Sequence, residues 1–443
     1  MKKIHYLLLL LSAAAGMAVF SSCSKDGPDT PEEKNNLVEV SDIQYYTADE
    51  MADKVFGPEG SNADETMAEA REQFLKLARE KEAALQEEYG TNGLALMYIS
   101  CDFKYFSTDL DGEEIVLSGR VAWGGYWFFG IHHMDPDNIY LLEHYTITSN
   151  DECPSVDGST DCCLVTGDNL LVMPDYIGYG ATKDRVHPYL NHEIAAINSI
   201  DALKAAVEAW KRNGSGTLED DWKLYVLGAS QGASNALAVH KYFDTHDDLA
   251  KEWRFDYSYC CCGAYDPALT MNTYYEWGKT AYIGAIPMTI KSMIASYPEI
   301  LSGFKEEEFY SEKYLKIKDD VDAILAGKKH NTEQLNNKMK ELLGTQNPLL
   351  SDILSAKALD KKSDLCKAFF ECLEKNNLTV GWTPKHQIHL YASKSDDIVP
   401  CANSEAVKNA FGDKVTLKWD FWDRKHVATC TTWYLSVAIT WFT

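Results

Sequence analysis

The sequence is poor in positive charge and contains no long hydrophobic run. Its 443 residues include 67 acidic and 42 basic side chains, which gives a net charge of −25 at pH 7. A chain of this charge without a basic patch is repelled by phosphate backbones, which argues against nucleic acid as a partner. The apolar run from Leu7 to Phe20 is too short to cross a bilayer as a stable anchor. No internal repeat is visible, which argues against repeat architectures.

Metal-binding patterns are also missing, although the chain contains 12 cysteines and 12 histidines. Cys260, Cys261 and Cys262 are consecutive on a predicted strand, where side chains alternate between the two faces and do not converge on one ion. The segment from His132 to Asp137 carries two histidines, but its proline and aspartates are typical of a solvated turn. We therefore predict no metal site and no cofactor.

The N-terminus has the features of an export signal. Two lysines precede the apolar run, whose length is that of a signal-peptide h-region. The sequence Phe20-Ser21-Ser22-Cys23 resembles a bacterial lipobox, with phenylalanine in place of the usual leucine. This predicts a signal peptide at residues 1–22, a lipid on Cys23 that attaches the protein to a membrane of the bacterial cell envelope, and a tether over residues 23–60. An ordinary secretory signal is the alternative, and it also implies export.

Cysteine pairing stays open at the level of the sequence. Of the 12 cysteines, 11 remain if one carries a lipid, so at least one is unpaired within the monomer. Cys366 and Cys372 are close enough in sequence for a local disulfide, as is Cys153 with either Cys162 or Cys163. The oligomeric state is open as well.

The most informative stretch runs from Trp222 to Phe243. Its first residues, Trp222 to Leu227, have the composition and length of a buried strand, and the pattern from Ala233 onward is helical. Between them lies Gly228-Ala229-Ser230-Gln231-Gly232, the strand–turn–helix pattern of a nucleophile elbow. Small flanking residues are needed because the strand and the helix pass close together. We therefore predict Ser230 as a nucleophile beside a helix N-terminus that favours negative charge.

A nucleophilic serine needs a base and an orienting carboxylate, and residues suited to both roles follow later in the chain. The predicted strand His386–Ala392 runs into a loop that carries Asp396 and Asp397. If the carboxylate and then the histidine follow the serine, His426 is the base, because no other histidine lies beyond these two carboxylates. Alternating apolar residues from Val415 to Phe421 predict another strand just before it.

These features resemble the serine α/β-hydrolases, and more narrowly the secretory-lipase and esterase group. The resemblance rests on the elbow at Ser230, the loop Asp396-x-x-Val399-Pro400 and the late His426. The segment Leu171–Gly180 is similar to the group's strand that ends in a P-D-Y-x-G-x-G turn. The segment His144-Tyr145-Thr146, followed by Asn150 and Pro154, is similar to the group's oxyanion-loop H-G-T segment.

The family's spacing separates the neighbouring carboxylates. It selects Asp396 as the acid that orients His426, and it leaves Asp397 as a loop carboxylate near the site. Asp175 follows the predicted strand of the P-D-Y turn, where it either braces the site or satisfies backbone donors. We favour the structural role for Asp175.

The resemblance also implies an oxyanion hole made of backbone N–H groups. The expected donors belong to Gln231 and Thr146, with His144 beside them. In the alternative, this is an ordinary loop whose histidine only forms hydrogen bonds. Tyr145 stands where the family has glycine. If the backbone needs a glycine conformation at that position, one donor is lost, which lowers the rate by about 100-fold to 1,000-fold.

The resemblance divides the chain into a core and an insertion. It covers residues 94–266 and 385–441, which implies an α/β-hydrolase fold whose mostly parallel sheet is flanked by helices and occupies residues 61–266 and 385–443. A helix is predicted at the start, over Ser61–Gly90. Residues 267–384 are helical and charged in pattern, and an insertion at this place predicts a cap over the serine. Its first part contains four residues that either line an acyl or aromatic pocket or, as we favour, form the core of the cap: Tyr274, Tyr275, Tyr282 and Met288.

The predicted function is that of an exported serine hydrolase that cleaves carboxylic esters through an acyl-enzyme. Its expected substrates are small esters with short or medium acyl groups, or acyl groups attached to larger molecules. Two alternatives remain open. A serine exopeptidase uses the same three side chains, and a surface binding protein on an impaired hydrolase scaffold is favoured by Tyr145 alone.

Overall fold

The computed structural model describes residues 36–58, 65–157 and 169–440, and its centre is one sheet of 11 strands. The strands are β1 (Leu37–Val40), β2 (Gln44–Thr47), β3 (Ala95–Thr108), β4 (Glu114–Trp127), β5 (Ile131–His133), β6 (Asn138–Glu143), β7 (Asn169–Pro174), β8 (Leu224–Ala229), β9 (Phe255–Cys261), β10 (Gln387–Ala392) and β11 (Val415–Trp419).

The strand order separates a parallel part of the sheet from an antiparallel one. The order is β1-β3-β4-β7-β6-β8-β9-β10-β11, with β2 beside β3 and β5 beside β4. The neighbours in the part of this order from β7 through β6, β8, β9 and β10 to β11 are parallel, whereas β7 is antiparallel to β4. The long strands β3 and β4 form an antiparallel pair along all 14 residues of each.

The described residues also form α-helices, which lie before, between and after the parallel strands in the order of the chain. The α-helices are α1 (Ala48–Phe56), α2 (Glu65–Tyr89), α3 (Pro154–Asp157), α4 (His192–Asn213), α5 (Gln231–Thr245), α6 (Asp247–Glu252), α7 (Pro267–Trp277), α8 (Ala285–Ser296), α9 (Pro298–Leu301), α10 (Glu312–Leu315), α11 (Lys318–Gly327), α12 (Thr332–Leu343), α13 (Leu350–Ile353), α14 (Ala356–Leu359), α15 (Asp364–Glu374), α16 (Ala402–Phe411) and α17 (His426–Thr440).

Helices cover both faces of the sheet. Because side chains of a strand alternate between faces, Val226 and Leu227 of β8 belong to different hydrophobic clusters. Val226 packs in the cluster that contains Trp210 of α4. Leu227 packs in the cluster that contains Phe74 of α2 and Trp433 of α17. The structure thus has the predicted parallel sheet flanked by helices.

A helical insertion separates β9 from β10. In this fully described stretch of chain, nine α-helices, α7 to α15, follow one another. They form a hydrophobic cluster of their own, in which Ile286, Met293, Leu335 and Phe369 are buried. The helical character predicted for residues 267–384 is found as far as Glu374, where α15 ends.

Residues 37–56 pack against the sheet, so the tether predicted over residues 23–60 is wrong for them. β1 and β2 both pair with β3. Met51 and Phe56 of α1 are buried, with only 2% and 3% of their surface exposed. This apolar burial of short segments stabilises them against the edge of the sheet. The predicted signal peptide, the lipid site at Cys23 and the tether up to residue 35 lie outside the described residues.

None of the described helices is long and apolar enough to cross a membrane.

The local disulfide considered for Cys366 and Cys372 does not form. Both cysteines are free and lie on α15. Residues six positions apart on a helix are separated by about 9 Å along its axis. A disulfide requires Cα atoms closer than about 7 Å. Cys153 is also free among the described residues, whereas its two possible partners, Cys162 and Cys163, lie outside them.

The segment around His132 and His133 is a strand before it becomes a turn. Both residues belong to β5, which pairs with β4. Nε1 of Trp123 donates a hydrogen bond to Nδ1 of His133 over 2.8 Å. The turn predicted for residues 132–137 therefore begins only after His133.

Candidate active site

Ser230 lies at the apex of a sharp turn between β8 and α5. The strand ends at Ala229 and the helix begins at Gln231, and Ser230 between them has φ 57° and ψ −121°. This conformation is strained for a residue with a side chain. A Cβ on Gly228 would lie 2.2 Å from the carbonyl oxygen of Gly232, so both small residues are required by the close approach of strand and helix. The predicted elbow geometry is thus present in the structure.

The structure brings the three residues predicted for catalysis into one hydrogen-bonded chain. Nε2 of His426 lies 2.9 Å from Oγ of Ser230, and Nδ1 of the same ring lies 2.7 Å from Oδ2 of Asp396. The other carboxylate oxygen of Asp396 accepts hydrogen bonds from the backbone N–H groups of Ile398 and Val399, over 3.0 and 2.7 Å. A carboxylate held in this way fixes the orientation of the imidazole, whose second nitrogen faces the serine hydroxyl.

Three strand ends at one edge of the sheet position these side chains. β8, β10 and β11 belong to the parallel part of the sheet, so their carboxyl ends lie at the same edge. Ser230 follows β8, Asp396 lies in the loop after β10, and His426 is the first residue of α17 after β11. The two later loops are joined, since the N–H and hydroxyl of Ser395 donate to the carboxylate of Asp423 over 2.9 and 2.8 Å.

Burial and the charge of Asp396 act in opposite directions on His426. The residue is only 4% exposed. Burial lowers the pKa of His426, but the charge of Asp396 and its hydrogen bond outweigh burial and raise that pKa to about 10. The pocket therefore stabilises the imidazolium, which is the form that the ring reaches when it takes a proton from the serine.

Asp397 contacts Lys425 rather than His426. Its carboxylate lies 3.2 Å from Nζ of Lys425, and its side chain is 34% exposed, compared with 1% for Asp396. The backbone carbonyl of Asp397 accepts a hydrogen bond from Ala281 of the helical insertion over 3.3 Å. The carboxylate that contacts the histidine is therefore the one that the family spacing selects.

The predicted oxyanion loop lies against the first turn of α5. A Cβ on Gly232 would lie 2.0 Å from the carbonyl oxygen of Glu143 and 2.7 Å from that of His144, so the end of β6 touches this helix. Tyr145 does not have a positive φ, which means that the loop does not require glycine there. Thr146 is 8% exposed, and its hydroxyl lies 3.3 Å from that of Tyr189.

His144 and Asp175 hold the backbone around this loop. The two ring nitrogens of His144 lie 2.7 and 3.3 Å from the carbonyl oxygens of Tyr145 and Asp175. Burial lowers the pKa of His144 to about 4, so the ring is neutral at pH 7. The carboxylate of Asp175 is fully buried and accepts hydrogen bonds from the hydroxyl groups of Ser118 and Ser155. This is the structural role that we favour for Asp175.

The four residues considered for a substrate pocket pack within the insertion. All of them belong to, or pack against, its hydrophobic cluster. The hydroxyl of Tyr275 donates to the carbonyl oxygen of Ala358 over 2.8 Å, and that of Tyr282 contacts the sulfur of Met288 at 3.5 Å. The arrangement fits the alternative in which these residues are the core of the cap.

Tyr274 links the insertion to the loop that carries Asp396. Its hydroxyl donates to the carbonyl oxygen of Ile398 over 2.7 Å. The same loop positions the carboxylate of Asp396 through the N–H group of Ile398. The insertion therefore supports the acid of the site as well as its own core.

Three thiols that are not among the predicted site residues lie beside the histidine. The sulfur atoms of Cys261, Cys262 and Cys430 lie within 4.8 Å of one another. Sγ of Cys430 lies 3.9 Å from Nε2 of His426. A signal was available, because residues four apart on a helix share one face, which places Cys430 next to His426 if a helix begins there.

No protein-family model and no curated sequence matches this chain, whereas several solved structures do. A rice cell wall degrading esterase, LipA from Xanthomonas oryzae, superposes with a TM-score of 0.69 at 19% identity, and the match covers 92% of this chain and 97% of LipA. A protein from Legionella pneumophila matches over the same shares with a TM-score of 0.65 at 19% identity. Candida antarctica lipase A in its closed state gives a TM-score of 0.52 at 13% identity, over 78% of this chain and 79% of the lipase.

At these identities the likeness concerns the fold. The superposition covers nearly the whole of both chains, so it concerns the overall fold and not only a local motif. The strand order and the strand–turn–helix at Ser230 agree with this likeness. The protein therefore has the α/β-hydrolase fold.

Proposed function

We propose that this protein is an exported serine hydrolase that cleaves carboxylic esters. The observation that carries the proposal is the hydrogen-bonded chain from Ser230 through His426 to Asp396, with its distances of 2.9 and 2.7 Å. The chain ends at a serine in a strained turn at the carboxyl edge of the sheet, which is where such folds carry their nucleophile. The solved structures of an esterase and a lipase with the same fold add support.

The reaction follows from these positions. His426 accepts the hydroxyl proton on Nε2 while Oγ of Ser230 attacks the ester carbonyl carbon, and Asp396 stabilises the imidazolium. When the tetrahedral intermediate collapses, the carbon–oxygen bond to the alcohol breaks and His426 gives its proton to the leaving alcohol. Water then attacks the acyl-serine with the same base, and the carboxylic acid leaves.

Negative charge on the substrate oxygen is stabilised by the start of α5 and the loop after β6. The N–H of Gln231 is the first of the helix, whose N-terminus favours negative charge. The N–H of Thr146 is the second donor in this proposal. The carbonyl groups of Glu143 and His144, just before this loop, touch α5 at Gly232, and this contact supports the assignment of the second donor to the loop.

The proposed substrates are esters with short or medium acyl groups, free or attached to larger molecules. The helical insertion acts as a cap in this proposal, because it contacts the loop of Asp396 through Tyr274 and through Ala281. The alternative function of a surface binding protein depended on Tyr145 as a sign of a damaged oxyanion hole. It is not favoured, because the backbone at Tyr145 does not have the positive φ that would need glycine.

Hydrolysis of a series of p-nitrophenyl esters, from acetate to palmitate, tests the proposed activity. The purified protein is compared with its Ser230→Ala variant, and circular dichroism verifies that both are folded. We expect activity that disappears in the variant, and the preferred chain length then measures the acyl pocket. If both proteins are equally inert, and a fluorophosphonate probe leaves Ser230 unlabelled, the proposal is wrong.

Export and lipid attachment are tested separately. The proposal places the protein in the bacterial cell envelope, held by a lipid on Cys23, as the lipobox-like sequence suggests. We expect the chain in the membrane fraction of a bacterial host, with Cys23→Ser released into the soluble envelope fraction or left unprocessed. Equal membrane attachment of the two proteins would contradict the lipid anchor.

A further inference from the structure

Three cysteine thiols lie together beside the proposed base, and the proposed mechanism does not use them. They belong to Cys261, Cys262 and Cys430, and their sulfur atoms lie within 4.8 Å of one another. All three residues are buried, with exposed fractions of 0%, 3% and 8%. In the part of the chain that the structure describes, none of them forms a disulfide.

Backbone geometry explains why two adjacent cysteines converge. In a continuous strand Cys261 and Cys262 would face opposite sides. β9 ends at Cys261, however, and Cys262 has φ 53°. Its side chain therefore packs in the same cluster as Cys261, while Cys260 packs in the cluster on the opposite face of the sheet. Alternation along the strand therefore keeps Cys260 away from the other two thiols, but it does not apply to Cys262, where the strand has already ended.

The third thiol comes from α17. Cys430 lies one turn after His426, on the same face of the helix. Its sulfur lies 3.9 Å from Nε2 of the imidazole. Cys262, Asp396 and His426 form a second group whose ligand atoms also lie within 4.8 Å of one another. The imidazole therefore adjoins Cys262 and Cys430, which in turn adjoin Cys261.

These distances and ligand types fit a small soft metal ion. Zinc–sulfur bonds of about 2.3 Å place the sulfur atoms of one site about 4 Å apart, within the limit found here. Thiolates select zinc and other soft ions over magnesium or calcium. Three cysteines and one histidine form one of the common tetrahedral zinc sites.

We propose that Cys261, Cys262 and Cys430 bind Zn²⁺, with His426 as the fourth ligand, and that this binding inhibits the hydrolase. Zn²⁺ displaces the thiol protons as it binds, so the site fills more readily as the pH rises. When Nε2 of His426 coordinates the ion, its lone pair no longer accepts the proton of Ser230. The inhibition rests on the proposed function, whereas the metal site does not.

The test measures metal binding to the purified full-length protein. The protein is reduced, stripped of metal with a chelator and kept under nitrogen. Zn²⁺ is then titrated against a chromogenic chelator, and the metal retained after gel filtration is measured by mass spectrometry. Cd²⁺ serves as a second probe, because cadmium bound to thiolates has an ultraviolet charge-transfer band. The variants are Cys262→Ser and Cys430→Ser, and the half-buried Cys401→Ser is the matched control.

We expect one bound Zn²⁺ that the control retains. The affinity should fall by about 100-fold in Cys262→Ser and in Cys430→Ser, each of which loses one ligand. The two substitutions lie in different parts of the fold, after β9 and on α17, so if one variant misfolds the other still decides the test. Equal affinity in all four proteins would overturn the site. A disulfide between Cys262 and Cys430 in the protein as purified, found by peptide mapping, would overturn it as well.

Inhibition is measured on the same proteins with p-nitrophenyl acetate. Zn²⁺ should inhibit the parent protein and Cys401→Ser at the concentrations at which it binds, and Cys262→Ser should need about 100-fold more. Inhibition of Cys262→Ser at the parent's concentration would contradict the inhibitory role. If the parent protein hydrolyses no ester, the proposed function fails, and the metal measurements still decide whether the site exists.

Discussion

The described part of this protein contains two hydrogen-bonded Ser–His–Asp triads with similar distances. One is the candidate active site at the edge of the sheet. In the other, Oγ of Ser258 lies 2.8 Å from Nδ1 of His240, and Nε2 of that ring lies 2.9 Å from the carboxylate of Asp244. This second chain crosses from α5 to β9 in the interior. Distance alone therefore does not identify a catalytic serine.

The two serines differ in backbone conformation and in exposure. Ser258 lies within β9 and is 0% exposed, so no substrate reaches its hydroxyl. Ser230 lies beyond the end of β8 in a strained turn, is partly exposed, and is followed directly by a helix N-terminus. The hydroxyl of Ser258 therefore lacks two features of Ser230, namely access for a substrate and the adjacent positive end of a helix.

The two histidines also differ in their electrostatic surroundings. Burial lowers the pKa of His240, and the nearby His386 and Lys414 add to this effect, which the hydrogen bond and charge of Asp244 do not offset. Asp244 also accepts hydrogen bonds from the ring of His386 and from the N–H of Lys385, over 2.5 and 2.7 Å. It therefore ties α5 to the start of β10. For His426 the charge of its aspartate outweighs burial, and the pKa of His426 is raised.

Removing the hydroxyl groups of Ser230 and Ser258, one at a time, should distinguish the two triads most clearly. Ser230→Ala should lower kcat/KM by at least about 10⁴-fold, because it removes the nucleophile. Ser258→Ala should keep the activity but lower the free energy of unfolding by about 1–2 kcal/mol, because His240 loses a buried hydrogen-bond partner. Ester kinetics and urea unfolding of both variants measure this. A folded Ser258→Ala protein without activity would contradict the assignment.

Substitution of Asp396 and of Asp244 should distinguish the two triads in the same way. Asp396→Asn should lower kcat by about 10⁴-fold, because the imidazole loses its orientation and tautomer. Asp244→Asn should lower the free energy of unfolding by about 3 kcal/mol at pH 7, because it disrupts a buried charged network.

The stability effect of Asp244→Asn should depend on pH. Burial raises the pKa of Asp244, but its hydrogen bonds with His240 and His386 outweigh burial and lower the pKa in the folded state. The carboxylate therefore contributes stability above its unfolded pKa of about 4, and the contribution is lost as the pH falls further. Urea unfolding at several pH values should show the two proteins converging in acid. A difference that stays constant down to pH 3 would speak against this network.

The pH profile of ester hydrolysis should respond to Asp396 and not to Asp244. The base must be neutral, and Asp396 raises the pKa of His426, so kcat/KM should rise about tenfold per pH unit on the acid side of the profile. In Asp396→Asn this acid limb should move to lower pH, since the raising charge is gone. In Asp244→Asn it should stay in place. If the acid limb of the pH profile moved equally in both variants, the distinction between the Asp396–His426 pair and the Asp244–His240 pair would be refuted.

Tyr145→Gly should produce the smallest effect. The loop does not use a positive φ at this position, so glycine brings no new donor geometry. We expect kcat/KM to change by less than about threefold, with a stability loss of about 0.5–1 kcal/mol from the added backbone freedom. A gain of about 100-fold would show instead that the tyrosine impairs the oxyanion hole.

Short-range sequence patterns predicted the triad of Ser230, His426 and Asp396, but they could not predict the triad of Ser258, His240 and Asp244. The elbow at Ser230 depends on glycines two residues to either side, and the order of Asp396 and His426 depends on where strands end. The contact between Ser258 and His240, in contrast, depends on how one face of α5 lies across β9. That packing is set by contacts between distant segments, and neither segment carries a local signal of it.

The other differences also arise from contacts between distant parts of the chain. β1 is four residues long and pairs with β3, more than fifty residues later, so its local pattern did not reveal a strand. The convergence of Cys261 and Cys262 depends on a single backbone angle at the end of β9. A strand end is uncertain by a residue or more when only the sequence is used.

The helical insertion leaves and rejoins the sheet at almost the same place. The N–H of Leu378 donates to the carbonyl oxygen of Tyr265 over 2.9 Å, and the amide of Asn377 donates to the carboxylate of Asp266 over 2.8 Å. The flanking strands β9 and β10 are direct neighbours. Mutation and recombination can therefore lengthen, shorten or exchange everything between these hydrogen bonds while the strands keep their register. In this architecture, evolution can change which molecules the protein binds without changing the strands that position Ser230, Asp396 and His426.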